Sequence, residues 1–391
     1  MHFKQFDKYL IASFQGQISI FDLKGELLIS YVNEMKVPTK ATSAISLNEN
    51  DNEKENNSEE PTTKKSKKEK KQHATKPSHL DSSHVIDFDA LINDDDHLIL
   101  AVIFNDKTAK IFKYDPESES KTIEKLDQYT VPKRPTAVKF DKFITTQKYE
   151  NDYYLIIADK HGDVHRRSKA YNLPENKNNM KLQETPFLGH ISMLLDVNVD
   201  EKYIYSAERD EKVRVTHRTR GYDIFGYLVG HEEYIKRIYL VPSSECSVTF
   251  SGDSSFKTWD HASLECLQED DFGKETTDLK QLCPNSDWFY TVSITGECQL
   301  YTCFDADLIK ERKYPTWNLS EKIPIYVPQP PGKKMEEVQL IDSEKIIKQM
   351  NCGNDFYKVY DTSDLCKNTD FFHQYPERYA KMYLDRNKSD A

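Results

Sequence analysis

The ten residues Ser251-Gly252-Asp253-Ser254-Ser255-Phe256-Lys257-Thr258-Trp259-Asp260 decide how the rest of the chain is read. Ser-Gly-Asp-Ser is turn chemistry, because glycine tolerates unusual backbone angles and short polar side chains bond their own backbone. The run that follows alternates and closes on a large aromatic, as a half-buried strand does. The same format recurs at Gly16 to Phe21-Asp22, Asp106 to Phe112, His161 to Arg167, Asp210 to Thr216, Gly296 to Tyr301 and Asn354 to Tyr360-Asp361. The closing positions 21, 112, 167, 216, 259, 301 and 360 are separated by 91, 55, 49, 43, 42 and 59 residues. The first gap contains an anomalous stretch from about Lys40 to His84. With that removed, the format recurs every 40 to 45 residues, roughly, with insertions.

A period of that size built from short strands is the four-stranded blade of a WD40 propeller, and seven copies predict an all-β, seven-bladed ring over residues 1–370. Gly189-His190 and Gly230-His231 stand 41 apart, each upstream of a closing strand, as the Gly-His of such repeats does. In the fifth blade His231, Ser251, Asp253 and Trp259 read as a buried polar tetrad, which is stable only if every member is satisfied and therefore fixes geometry rather than doing chemistry. The other blades are degenerate, with Arg167 and Thr216 at the tryptophan position. Met1 to Phe6 supplies an early strand of the first blade, and residues near Gln339 to Asp361 finish the seventh. Residues 371–391 form a tail, in which Pro376 to Leu384 reads as a short helix outside the ring.

The insertion at 40–84, between blades 1 and 2, lacks aromatics and is rich in Asn, Glu, Lys, Ser and Thr. It cannot bury enough apolar surface to offset its conformational entropy, and disorder is expected. Its run Lys64-Lys65-Ser66-Lys67-Lys68-Glu69-Lys70-Lys71 fits a nuclear import signal, an RNA-binding patch or a merely solvated loop. The chain of 391 residues carries 54 basic and 65 acidic side chains, a net charge of −11. That is the wrong sign for gripping phosphate backbones over most of a surface, so any nucleic acid is expected to be held mainly by a partner. Apolar runs are too short for a membrane helix, the N-terminus lacks the pattern of a secretory signal, and an intracellular, reduced protein is expected. Seven scattered cysteines without a CxxC encode neither a disulfide framework nor a zinc knuckle.

Catalytic and cofactor motifs are absent from the sequence. The 12 glycines never approach closer than four positions, so no G-x-G-x-x-G loop exists, and Gly221-x-x-x-x-Gly226 is followed by Tyr227 where a P-loop needs lysine. Asp94-Asp95-Asp96 lacks the spaced ligands of a calcium loop and reads as a hairpin turn. Cys298 aligns with core positions Phe256 and Val213 and reads as a small buried side chain. No catalytic residue, cofactor or metal ligand is assigned.

The stretch Leu188-Gly189-His190-Ile191-Ser192-Met193-Leu194-Leu195-Asp196-Val197, continued by Ala207-Glu208-Arg209-Asp210-Glu211-Lys212-Val213-Arg214-Val215, resembles the non-catalytic WD-repeat subunit of the eukaryotic tRNA (guanine-N7)-methyltransferase. Ala158-Asp159-Lys160-His161-Gly162-Asp163-Val164 is similar to a second motif of that family, and Gly230-His231 through Trp259 to a third. Glu208 for aspartate, Thr216 for serine and Ser254 for glycine are departures. The resemblance implies a heterodimer in which a separate subunit methylates the variable-loop guanosine of tRNA in the nucleus while this chain docks on it and stabilises it. It carries over Lys212 and Arg214 as partner-binding residues, with Arg209, Asp210 and Glu211 beside them. Against Arg214 stands the alignment, since Ser19, Lys110, His165, Lys257, Gln299 and Lys358 make its position polar in every blade. A competing reading is a scaffold or substrate receptor of another complex, in ubiquitin ligation or ribosome assembly, although Trp259-Asp260 is followed by His261-Ala262 rather than the x-Arg such receptors often use.

Overall fold

The computed structural model describes residues 2–33, 84–118, 122–142, 154–168, 186–302, 316–327 and 337–350. The insertion, the closing motif at Asn354 to Asp361 and the tail helix at 376–384 lie outside the described residues. Within them, six four-stranded antiparallel sheets follow one another, each made of strands consecutive in the chain. Their innermost strands are His2–Phe6, Val85–Ile92, Pro135–Asp141, Leu194–Val199, Ile235–Val241 and Thr276–Gln281. The six closing motifs read from the sequence that fall within the described residues end the third strand of each blade, for example Lys212–His217 in blade 4 and Ser255–Asp260 in blade 5. Asp94 to Asp96 is the turn between the first two strands of blade 2, with Asp96 at φ 62°.

Of the seven expected blades the described residues complete six. In the seventh sector they hold the two strands Lys322–Val327 and Glu337–Asp342, a two-stranded wedge, and the closing strand expected at Asn354 to Asp361 lies outside them. Directly after the second strand, Asp342 accepts the backbone N–H of Glu344 at 2.8 Å and caps the helix Ser343–Gln349. Ile346 and Met350 on that helix are buried, and Ile346 reaches the turn at Gly25 of blade 1.

The core is a set of layers between blades. Five apolar clusters fill the successive junctions from blade 1 to blade 6, and a sixth spans the seam. That last cluster joins Phe3 and Phe21 of blade 1, Trp288 and Tyr290 of blade 6, Trp317, Ile323 of the wedge and Ile346 of the helix. Each sheet is thus apolar on both faces, as a strand stack flanked by neighbours must be. Around the central channel, side chains of inner strands bond the backbone of the next blade. Asp89 accepts from Phe140 N at 2.9 Å, Asp196 from Ile238 N at 3.0 Å, and Tyr239 donates to the Leu279 carbonyl at 2.6 Å. At the seam, Gln5 donates to the Tyr326 carbonyl and accepts its N–H, both at 2.7 Å.

Candidate partner-docking face on blade 4

Blade 5 supplies the reference geometry. The indole of Trp259 donates to Thr249 Oγ1 at 2.8 Å, and Thr249 Oγ1 lies 2.7 Å from His231 Nε2. His231 Nδ1 meets Asp253 Oδ2 at 3.1 Å and Ser255 Oγ at 3.0 Å. The network assigns the proton to Nδ1, leaving Nε2 to accept from threonine. Burial pushes the Asp253 carboxyl up, but the bonds from His231, Glu232 and Ser255 outweigh it and hold the group well below its ordinary value. One member of the tetrad read from the sequence is corrected. Ser251 donates to the Glu233 carbonyl at 2.9 Å and braces the turn, while Thr249 occupies the hub. Thr249 and Ser251 share a strand face two residues apart, so alternation permitted either, and the one nearer the turn was the wrong choice.

Blade 4 keeps half of this arrangement. His190 Nε2 is 2.7 Å from Ser206 Oγ, the counterpart of Thr249, and its Nδ1 is 2.8 Å from the Gly162 carbonyl of blade 3. Burial, then the nearby Arg214 charge, draw its imidazole down to about 4. Thr216 replaces the tryptophan, and its hydroxyl has no hydrogen-bond partner. Asp210, the counterpart of Asp253, turns instead to Lys212, with Nζ to Oδ2 at 3.2 Å.

The five residues expected to bind a partner therefore divide. Arg209, Asp210 and Glu211 form the tight turn between the second and third strands, with Glu211 at φ 69°, as Ser254 is at 67° in blade 5. Asp210 and Glu211 are exposed and Arg209 half-buried. Lys212 is half-buried between Asp210 and Glu208, whose carboxylate is 4.0 Å away. Arg214 is buried and donates through Nη1 to the Gly189 carbonyl of blade 3 at 3.0 Å. Its position is polar in other blades too: Lys110 reaches Tyr31 and Asn33 of blade 1, whereas His165 meets Asp159 at 3.1 Å and Lys257 meets Glu269 at 2.5 Å within their own blades.

Two features escaped the sequence reading. Glu208 is buried on the second strand, and that burial pushes its carboxyl up to about 7. The outer strand Ile224–Val229 contains no charged residue and exposes Ile224, Phe225, Tyr227 and Val229, whereas the outer strands of blades 2 and 5 carry Glu124, Lys125, Asp127, Glu269, Asp270 and Asp271. Charge on an exposed edge is the usual protection against unwanted pairing. Across the third and outer strands Lys212 stands opposite Val229 and Arg214 opposite Tyr227, so the basic residues share a sheet face with the exposed apolar ones. Ile191, two residues beyond the Gly189 that Arg214 holds, is 79% exposed.

The comparisons agree with this architecture. The family profile described as the tRNA methyltransferase TRM82 WD40 domain matches residues 10–167 and 165–302. The tRNA (guanine-N(7)-)-methyltransferase non-catalytic subunit TRM82 of Kluyveromyces lactis is 33% identical over 203 residues, covering 49% of this chain and 42% of that protein. The subunit WDR4 of Bos taurus is 34% identical over 141 residues, covering 35% of this chain and 30% of the relative. The matches thus span less than half the length of these curated relatives. Among solved structures, Chaetomium thermophilum Raptor superposes with a TM-score of 0.51 at 12% identity, over 78% of this chain and 23% of that one, a likeness of fold alone. With the profile running from the first blade through the sixth, the chain belongs to the TRM82 WD40 family of tRNA methyltransferase proteins.

Proposed function

We propose that this chain is the non-catalytic propeller subunit of a tRNA (guanine-N7)-methyltransferase heterodimer, and that it binds and stabilises the catalytic subunit through blade 4. The observation that carries the reading is the pairing of Lys212 with Val229 and Arg214 with Tyr227 on one face of that blade. A protein interface needs desolvatable apolar anchors beside charges that fix orientation, and tyrosine and arginine are over-represented at such centres. Lys212, Tyr227, Val229 and Ile191 supply both kinds of group at the junction of blades 3 and 4. Arg214 acts from beneath, holding the Gly189 segment in place. The names of the relatives, non-catalytic subunits of the same methyltransferase, support the assignment of the chemistry to a partner. tRNA is held mainly through that partner, consistent with the net charge of −11. Nuclear location belongs to the same proposal, and a fluorescent fusion with Lys64 to Lys71 neutralised tests it.

The test of docking is co-expression with the catalytic subunit and recovery of the pair. Lys212→Glu combined with Val229→Asp abolishes copurification while the propeller stays folded by circular dichroism. Lys125→Glu, the same kind of charge reversal on the outer strand of blade 2, leaves recovery intact. Wild-type recovery of the folded double variant removes the interface from blade 4.

A further inference from the structure

The inner strands enclose a channel, and at one end of it lies a cavity of about 170 Å³ bordered by His2, Lys4, Lys139, Arg237 and Lys280. At about 30 Å³ per water it holds about five waters or a small ion with its hydration. The carboxylates on the same wall are already engaged. Asp87 accepts from Val138 N at 3.1 Å and from Lys4 at 2.6 Å, and Asp89 from Phe140 N. Asp196 takes the N–H of Val197 on one oxygen and that of Ile238 on the other. Lys4 is committed to Asp87 and to the Phe88 carbonyl, and Arg237 lies 3.5 Å from Asp278.

Lys280 is different. It is 7% exposed, and its ammonium has no hydrogen-bond partner. Burial disfavours its charge; Asp278 favours it, while Arg237 and Lys4 oppose it. Two residues away on the same strand face, Asp278 is 4% exposed; one oxygen accepts from Leu279 N at 3.0 Å and the other, Oδ2, also lacks a hydrogen-bond partner. A buried ammonium without an acceptor is costly, and of these two groups only Lys280 lines the cavity, Asp278 being already ion-paired with Arg237. A small species with oxygen acceptors in the cavity satisfies it.

We infer that the cavity is a binding site for a small oxyanion of the phosphate class, whose oxygens accept from Lys280, with Lys4, Lys139 and Arg237 on the same lining. The site is independent of the docking face and leaves that proposal untouched.

Isothermal titration of the full chain with inorganic phosphate at pH 7 and constant ionic strength shows saturable binding, weakened at least tenfold by Lys280→Met. A second measurement guards against a folding defect. In a chloride buffer free of oxyanions, Lys280→Met melts at or above the wild-type temperature, since an unpaired buried charge has been removed. At saturating phosphate the wild type melts higher, reversing the order. No saturable phosphate binding, equal affinity in Lys280→Met, or the same melting order in both buffers overturns the site.

Discussion

The indole N–H of Trp259 and the side-chain oxygen of Thr249 meet at 2.8 Å, and through that threonine the tryptophan is coupled to His231 and Asp253. Thr249→Val keeps the shape but orphans two buried polar groups, Trp259 Nε1 and His231 Nε2. At about 1–3 kcal/mol for each, the variant loses about 2–6 kcal/mol. Ser251→Ala, which removes only a brace on the turn, costs about 1 kcal/mol. Urea denaturation of the two variants separates them. Equal losses would restore Ser251 to the hub.

Arg214 and Lys212 are expected to fail in different assays. Arg214→Ala removes the bond to the Gly189 carbonyl from a buried site and lowers stability by about 1–3 kcal/mol. Lys212→Ala touches a half-exposed ion pair and changes stability by less than about 1 kcal/mol. Thermal melts of the isolated chain check both. A larger stability loss for Lys212 than for Arg214 contradicts the division made here.

Glu208 gives the protein a distinctive pH response. Burial raises its carboxyl from an ordinary 4.5 to about 7, so the native state holds a proton that the unfolded chain releases. Its contribution is complete below about pH 4.5 and is lost as pH climbs through 7. Glu208→Gln, which cannot ionise, removes this loss. The variant melts above wild type at pH 8 and loses that advantage at pH 5. His190 acts in the other direction. Its imidazole, drawn down to about 4, stays neutral while the unfolded histidine gains a proton below 6.5, so stability falls as pH drops from 6.5 towards 4. Between pH 4.5 and 6.5 the two oppose one another, and the Glu208→Gln variant exposes the histidine limb.

At the seam, Gln5 is 3% exposed and satisfies both backbone groups of Tyr326. Gln5→Ala leaves those groups to find water and costs about 2–4 kcal/mol, at about 1–2 kcal/mol for each lost bond. Limited proteolysis then cuts residues 316–342 first. Unchanged protease resistance shows that the packing of Phe3, Trp317 and Ile323 closes the ring unaided.

Much of the fold was legible because a propeller repeats itself: turn residues and a closing strand recur, and six of those motifs fall on the third strand of their blades. The helix of the wedge was not, since pattern alone did not reveal that Asp342 would cap one directly after the second strand. On blade 4 the charged turn could be read from the order Arg209 to Arg214. The burial of Arg214 and Glu208 could not, because that depends on how closely blade 3 approaches. The apolar outer strand was written plainly as Ile224-Phe225-Gly226-Tyr227-Leu228-Val229, yet which of its residues face solvent follows only from its place at the rim.

Every complete blade described here is threaded from consecutive strands, and among the described residues no sheet is shared between the beginning of the chain and its later segments. The ring behaves as a bracelet with a clasp rather than a welded hoop. The clasp consists of Gln5 on Tyr326, Lys345 on Glu26, and the aromatic packing beneath them. Under a pulling force applied at residues 2 and 350, those side chains release before any strand is peeled from its sheet, and the six blades can then unwind one after another. A partner docked on blade 4, as proposed above, would sit diametrically away from that opening, so the ring could breathe at its seam without loosening its grip.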